Sequence, residues 1–234
     1  MRLSSYRGVA FVALVALVAS CGGESPPARR GVLSIADSIR IRRNDELRRR
    51  PDTLGARVDS TRILGAPTAT LWMVVVSDFQ CAECRDFATT VLPVLRRDYV
   101  EAGTVRMAFV NLPQETHVSA RLAAHAALCA GASGRFWETH DTLFAASARW
   151  ERLPDPQPLL DSLAISAGAA PATQRDCTAR FRLLNLLAGD VERSRKAEVR
   201  VVPTVLVGDR RLTGRELELP IIRRVIDDAL RAGR

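Results

Sequence analysis

Cys81 and Cys84 stand three positions apart, where an apolar run gives way to a helical pattern. The run is Leu71-Trp72-Met73-Val74-Val75-Val76. It is short and β-branched, and it follows a Pro-Thr loop, so it reads as a buried strand. After the pair, Cys84, Ala88, Val91, Leu92, Leu95 and Tyr99 fall on one helical face. Cys81 therefore sits at a first helical turn, where free amide N–H groups and the positive end of the dipole favour an anion. A thiolate is such an anion, and only the thiolate is a nucleophile. Cys84 lies one helical turn on, within disulfide reach. A Cys-x-x-Cys at a helix start after a core strand is a redox dithiol signature. The competing readings are a zinc half-site and an inert disulfide. Zinc needs a second ligand pair. Cys129 and Cys177 stand alone, and His117, His125 and His140 show no ligand spacing around the pair. No metal and no cofactor are expected.

The chain starts with a targeting pattern. Arg2 and Arg7 precede an apolar stretch, Val9 to Val18, too short to span a bilayer as a stable helix. Val18-Ala19-Ser20-Cys21-Gly22 follows. An ordinary signal peptide with Cys21 as a bystander is one reading. The stretch also resembles a bacterial lipoprotein lipobox, with Val18 in place of the commoner Leu. That resemblance implies cleavage before Cys21 and lipids on its thiol and new amino terminus, an anchor stronger than a single acyl chain. Both readings put residues 1–20 in a signal peptide and the mature chain outside the cytoplasm, where disulfides persist. Residues 21–61 then read as a tether and a basic helix. Gly22 to Gly31 is flexible in composition. Val32, Ile35, Ala36 and Ile39 carry helical periodicity, and an Arg-rich stretch ends at Pro51.

The 234 residues suit one sizeable domain or two small ones. A formal charge of +8 becomes +6 without residues 1–20, since Arg2 and Arg7 leave and no acid does. That balance favours anionic membrane surfaces. With aromatics at 5% and no basic stripe interleaved with them, nucleic acid is not an expected partner.

Past the dithiol helix, which Pro93 should kink and Gly103 should close, Thr104 to Val110 alternates as a second strand. From about 115 to 195 only helical material is visible, and His117 is read as the start of its first helix. This block is long enough to be an inserted helical subdomain. Val199 to Val207 reads as strand, Gly208-Asp209 as a hairpin turn and Arg210 to Thr213 as the return. Pro220 opens a terminal helix whose core face is Ile222, Val225, Ile226, Ala229 and Leu230. Pro203 inside a strand-like run demands an edge, a strand start or a special bond.

In this order the chain resembles the thioredoxin superfamily, and within it the DsbA-like thiol:disulfide oxidoreductases. The stretches that carry the likeness are Ser77 to Cys84, Thr90 to Tyr99, Thr104 to Pro113, Phe136 to Phe144 and Val202 to Gly214, spread over about residues 62–232. The resemblance implies an α/β thioredoxin fold over residues 62–234, with a helical insertion between the second core strand and a cis-Pro strand. It implies catalysis by Cys81 and Cys84. It implies a cis Pro203 packed against them, with the Val202 backbone pairing to an extended substrate strand. The partners implied are exported proteins with cysteines and a membrane redox partner, either a quinone-linked oxidase or a donor of thiol reductant.

Departures from the family bear on redox tuning. Ala82 stands where the family often has Pro, and Glu83 where the strongest oxidants have His. A carboxylate beside Cys81 opposes its thiolate, with Arg85 offsetting part of that, so a weaker oxidant is expected. Val75 stands where many relatives carry a buried acid. Cys129 and Cys177 are expected to form a structural disulfide, with buried free thiols or a second redox pair as alternatives. The leading reading is an enzyme that oxidises or isomerises disulfides in exported proteins. A reductase with the same pair and a non-catalytic peptide-binding module are the competitors.

Overall fold

A computed structural model describes residues 53–233. The expectations for the signal peptide, Cys21 and the basic stretch before Pro51 lie outside these residues. Helix α1 (Thr53–Thr61) leads into β1 (Ile63–Leu64) and β2 (Leu71–Ser77). Helix α2 follows as one run of four segments: Ala82–Asp86, a wider π-turn at Phe87–Val91, Leu92–Leu95, and a second π-turn at Arg96–Val100. Strand β3 is Val105–Asn111. Six helices come next: α3 (Ala120–Gly131), α4 (Phe136–Ala145), α5 (Ser147–Trp150), α6 (Gln157–Ser166), α7 (Pro171–Ala179) and α8 (Leu184–Lys196). The hairpin β4 (Thr204–Val207) and β5 (Arg210–Thr213), a 3₁₀ turn at Gly214–Leu217 and helix α9 (Leu219–Ala232) complete the chain.

The sheet order is β1-β3-β2-β4-β5, with β2 and β3 parallel and every other pair antiparallel. Parallel β2 and β3 need a crossover, which α2 supplies. The helical insertion α3–α8 lies between β3 and β4, where the expected α/β thioredoxin fold placed it. Alternation in β3 buries Val105, Met107, Phe109 and Asn111 on one face. Phe79, Phe109, Phe136, Phe144 and the imidazole of His140 form an aromatic cluster there. Ring centroids are 4.8 Å apart for Phe79–Phe144 and for Phe109–His140. Burial holds the His140 pKa below its ordinary value. Ile222 and Ile226 of α9 are fully buried, each a contribution of about 1.5–3 kcal/mol.

Four details add to or differ from the sequence reading. Residues 53–61, read as the end of a tether, form α1. Its Val58 is fully buried, and a Cβ on Gly131 of α3 would meet Val58 Cγ1 at 3.0 Å, so the two helices approach closely. The strand after the helical block begins only at Thr204: Pro203 has no N–H to give a ladder, and Val199 to Val202 stay outside β4. The first helix of the insertion starts at Ala120, and His117 lies in the turn before it. Pro93, read as a kink, lies inside α2, which continues past it. It sits at the start of the Leu92–Leu95 turn, directly after the π-turn, where a missing N–H costs least.

A buried ion network was not legible in advance. Arg62 is 2% exposed and donates to the Phe109 carbonyl at 3.1 Å and to Asp190 at 2.6 Å. The Asn111 amide and side chain also donate to Asp190, at 3.1 and 2.8 Å. This ties α8 to the end of β3.

Candidate active site

The loop between β2 and α2 is held from three sides. The Asp78 carboxylate is fully buried. It accepts from the backbone N–H of Gln80 at 2.7 Å and of Gln114 at 2.8 Å, and lies 2.7 Å from His117 Nδ1. A buried carboxylate is tolerated only when its lone pairs are used in this way. Gln80 accepts from the Ser119 N–H at 2.8 Å and donates to the Glu151 carbonyl at 3.1 Å. Phe79 points the other way, into the aromatic cluster. Polar and apolar anchors on successive residues thus fix where Cys81 starts its helix.

Cys81 is the N-cap of α2, with extended backbone at φ −80° and ψ 127°. Its sulfur accepts from the Cys84 N–H at 3.2 Å. Sγ lies 3.8 Å from the Val202 carbonyl and 3.4 Å from Glu83 Oε2. The Val202–Pro203 peptide is cis. The dithiol and the Val202-Pro203 pair, far apart in sequence, therefore meet. Both cysteines are free thiols. Cys81 keeps 5% exposure and Cys84 none, so of the two only Cys81 keeps a surface a partner can reach.

The two thiols differ in acidity. The Cys84 thiol and amide both hydrogen-bond the Cys81 sulfur and hold its pKa below the ordinary thiol value, against burial and Glu83. Burial pushes the Cys84 thiol far up, and the neighbouring Cys81 sulfur adds to this. One sulfur is thus poised as the thiolate and the other as its proton-bearing partner. Glu83 keeps a low pKa, first through its own backbone N–H and then through the Cys81 thiol. Its charge works against the Cys81 thiolate. Ala82 is exposed and touches neither sulfur through a polar group. Arg85 turns away from Cys81: it donates to Ser147 at 3.1 Å and lies 3.7 Å from Asp86. Val75 is buried on β2, and no acid stands there behind Cys84.

Cys129 and Cys177 form a disulfide, with S–S 2.00 Å and Cα–Cα 5.7 Å, joining α3 to α7. His125 Nε2 approaches Cys129 Sγ at 3.6 Å. With the two sulfurs bonded to each other, this trio offers one metal ligand only. The sequence reading left out Asp78 and Gln80. The available signal was Asp78 and Gln80 flanking Phe79 in the short loop between an apolar strand and the dithiol helix.

Residues 57–228 match a family model described as thioredoxin. The chain belongs to the thioredoxin family. Disulfide bond formation protein D of Bacillus subtilis is 26% identical over 151 residues, covering 63% of this chain and 68% of that protein. A probable disulfide bond formation protein D of Bacillus cereus is 32% identical over 84 residues, 35% of this chain and 38% of that protein. The crystal structure of oxidised BdbD from Bacillus subtilis superposes with a TM-score of 0.62 at 25% identity, covering 73% of this chain and 92% of that one. Wolbachia pipientis alpha-DsbA1 shares the fold, with a TM-score of 0.63 at 19% identity over 73% of this chain and 91% of its own. This thioredoxin-family protein is a thiol:disulfide oxidoreductase.

Proposed function

We propose that the chain is exported, anchored through lipid on Cys21, and oxidises cysteine pairs of exported proteins through Cys81 and Cys84. The observation that carries this is the placement of Cys81 Sγ. It caps α2, accepts the Cys84 amide at 3.2 Å and faces the Val202 carbonyl at 3.8 Å. In the oxidised enzyme, a substrate thiolate attacks Cys81 Sγ and breaks its bond to Cys84, which leaves and takes up a proton. A second substrate thiolate then attacks the substrate sulfur of the mixed disulfide and expels Cys81 as the thiolate. The substrate loses two electrons and the dithiol gains them. A membrane redox partner must then accept them by the reverse exchange. Val202 would present its backbone to an extended substrate segment, so that main chain supplies affinity and sequence tolerance is broad. Among the described residues no helix is long and apolar enough to cross a membrane, so membrane attachment in this proposal rests on Cys21.

The same pair run as a reductase is the second reading, and Glu83 favours it. A carboxylate 3.4 Å from Cys81 destabilises the reduced thiolate form and weakens the oxidant. The redox state in cells separates the two readings. Acid quenching followed by thiol labelling should find the pair mostly oxidised, and the protein should leave the membrane fraction on Cys21→Ser. A mostly reduced pair makes the protein a reductase.

Glu83→Gln tests the tuning. Without the charge, the Cys81 pKa falls further. The pH midpoint of its alkylation by iodoacetamide should start below the free-thiol value of about 8.5 and move lower in the variant. The potential should become more oxidising by on the order of 30 mV per pKa unit. An unchanged potential against a glutathione buffer sinks this account of Glu83.

A further inference from the structure

Beside the dithiol, between α2 and the segment that leads into β4, runs a groove of about 710 Å³, within the size range that takes a small ligand or several side chains. Val202 and Pro203 form one wall. Its floor is apolar: Phe87 and Leu217 are 5% and 6% exposed. Its polar wall carries Glu83, Asp86 and Glu218, and no Arg or Lys lines it. This is an unusual choice for a chain of formal charge +8. The nearby cations stand at its edge and do not line it, although Arg85 pairs with Asp86. Arg85 donates to Ser147, Arg200 lines a separate groove with Arg195, and Arg215 is exposed on the 3₁₀ turn. Asp86 keeps its side chain 75% exposed although Arg85 lies 3.7 Å away, and Glu218 makes no side-chain hydrogen bond as the N-cap of α9. Asp86 and Glu218 do no capping for the fold, and with Glu83 they stand beside an apolar floor next to the reactive sulfur.

We propose that the groove selects its substrates by charge: the preferred partner is an extended cysteine-containing polypeptide with Arg or Lys close to the reacting cysteine and an apolar side chain for the floor. This rests on the assignment of Cys81 and Cys84 as the reacting pair. Long basic side chains fit both halves of the site, since their aliphatic stems lie on Phe87 and Leu217 while their heads reach the carboxylates. Acidic segments are repelled at the same place. The selectivity acts on encounter and orientation, so it is sensitive to salt.

The test uses the stoichiometrically oxidised protein and two synthetic dithiol peptides. They are identical except that the residues flanking the first cysteine are Arg in one and Glu in the other. Rates of peptide oxidation are read in single turnover. Arg beside a cysteine also raises its intrinsic thiolate fraction, so the decisive quantity is how the ratio of rates changes between wild type and Asp86→Asn/Glu218→Gln. The expected result is a ratio about three- to tenfold higher in wild type than in the double variant at low salt, the effect of two exposed ion pairs. The difference should vanish at about 0.5 M salt, where the Debye length is only a few Å. An equal ratio in both proteins overturns the charge selection while leaving the oxidoreductase assignment standing. Failure of the wild type to oxidise either peptide overturns both.

Discussion

Cys81→Ser protein is expected to reduce insulin with dithiothreitol no faster than the uncatalysed reaction, while wild type accelerates it. The loss should be complete. Cys84 is fully buried, its thiol is held protonated by burial, and it cannot take over the attack. Cys84→Ser should differ in kind. Its Cys81 still attacks, but nothing internal resolves the product, so mixed disulfides with substrates should accumulate and appear on non-reducing gels. Such trapping by Cys84→Ser and its absence in Cys81→Ser would assign attack and resolution to separate sulfurs. Residual catalysis in Cys81→Ser, with the fold intact by circular dichroism, would remove Cys81 from the mechanism.

The second large effect concerns stability. The Cys129–Cys177 bond spans 48 residues of the insertion. In the chain-entropy model a loop of that length stabilises the folded state by about 4 kcal/mol. Cys129→Ala/Cys177→Ala should therefore lose about that much in urea denaturation. Its melting temperature should drop by on the order of 10 °C for a domain of this size. Activity of the folded fraction should persist, since neither sulfur belongs to the dithiol pair. A loss below about 1 kcal/mol would mean that the bond adds little beyond the packing of α3 on α7. Loss of insulin reduction at a temperature where the variant is folded would make the second pair part of the electron path.

Much of the site lay open in the order of residues. The Cys-x-x-Cys after an apolar strand reports itself locally, because strand period, helix period and cysteine spacing are all read within about 20 positions. Pro203 in a strand-like run reported itself through chemistry alone, having no N–H to give. The short strand β1 and helix α1 did not. Two paired residues carry no period, and α1 is a modest helix whose one fully buried side chain, Val58, gives little contrast. The groove carboxylates were also invisible as a set, being drawn from the start of α2 and the entry to α9.

Local pattern alone pointed to most of the elements, their order and the Cys81/Cys84 dithiol, because those depend on propensity and on chemistry carried by neighbouring residues. Only the folded chain decided that Asp78 would grip His117 across 39 positions and that Arg62 would meet Asp190 across 128. The meeting of Val202 with Cys81 across 121 positions was expected from the family resemblance and from no local pattern. Such pairs have no periodic trace. They form because closing the sheet and packing the helices bring distant polar groups into a dry interior, where each must find a partner or bear the cost of burial.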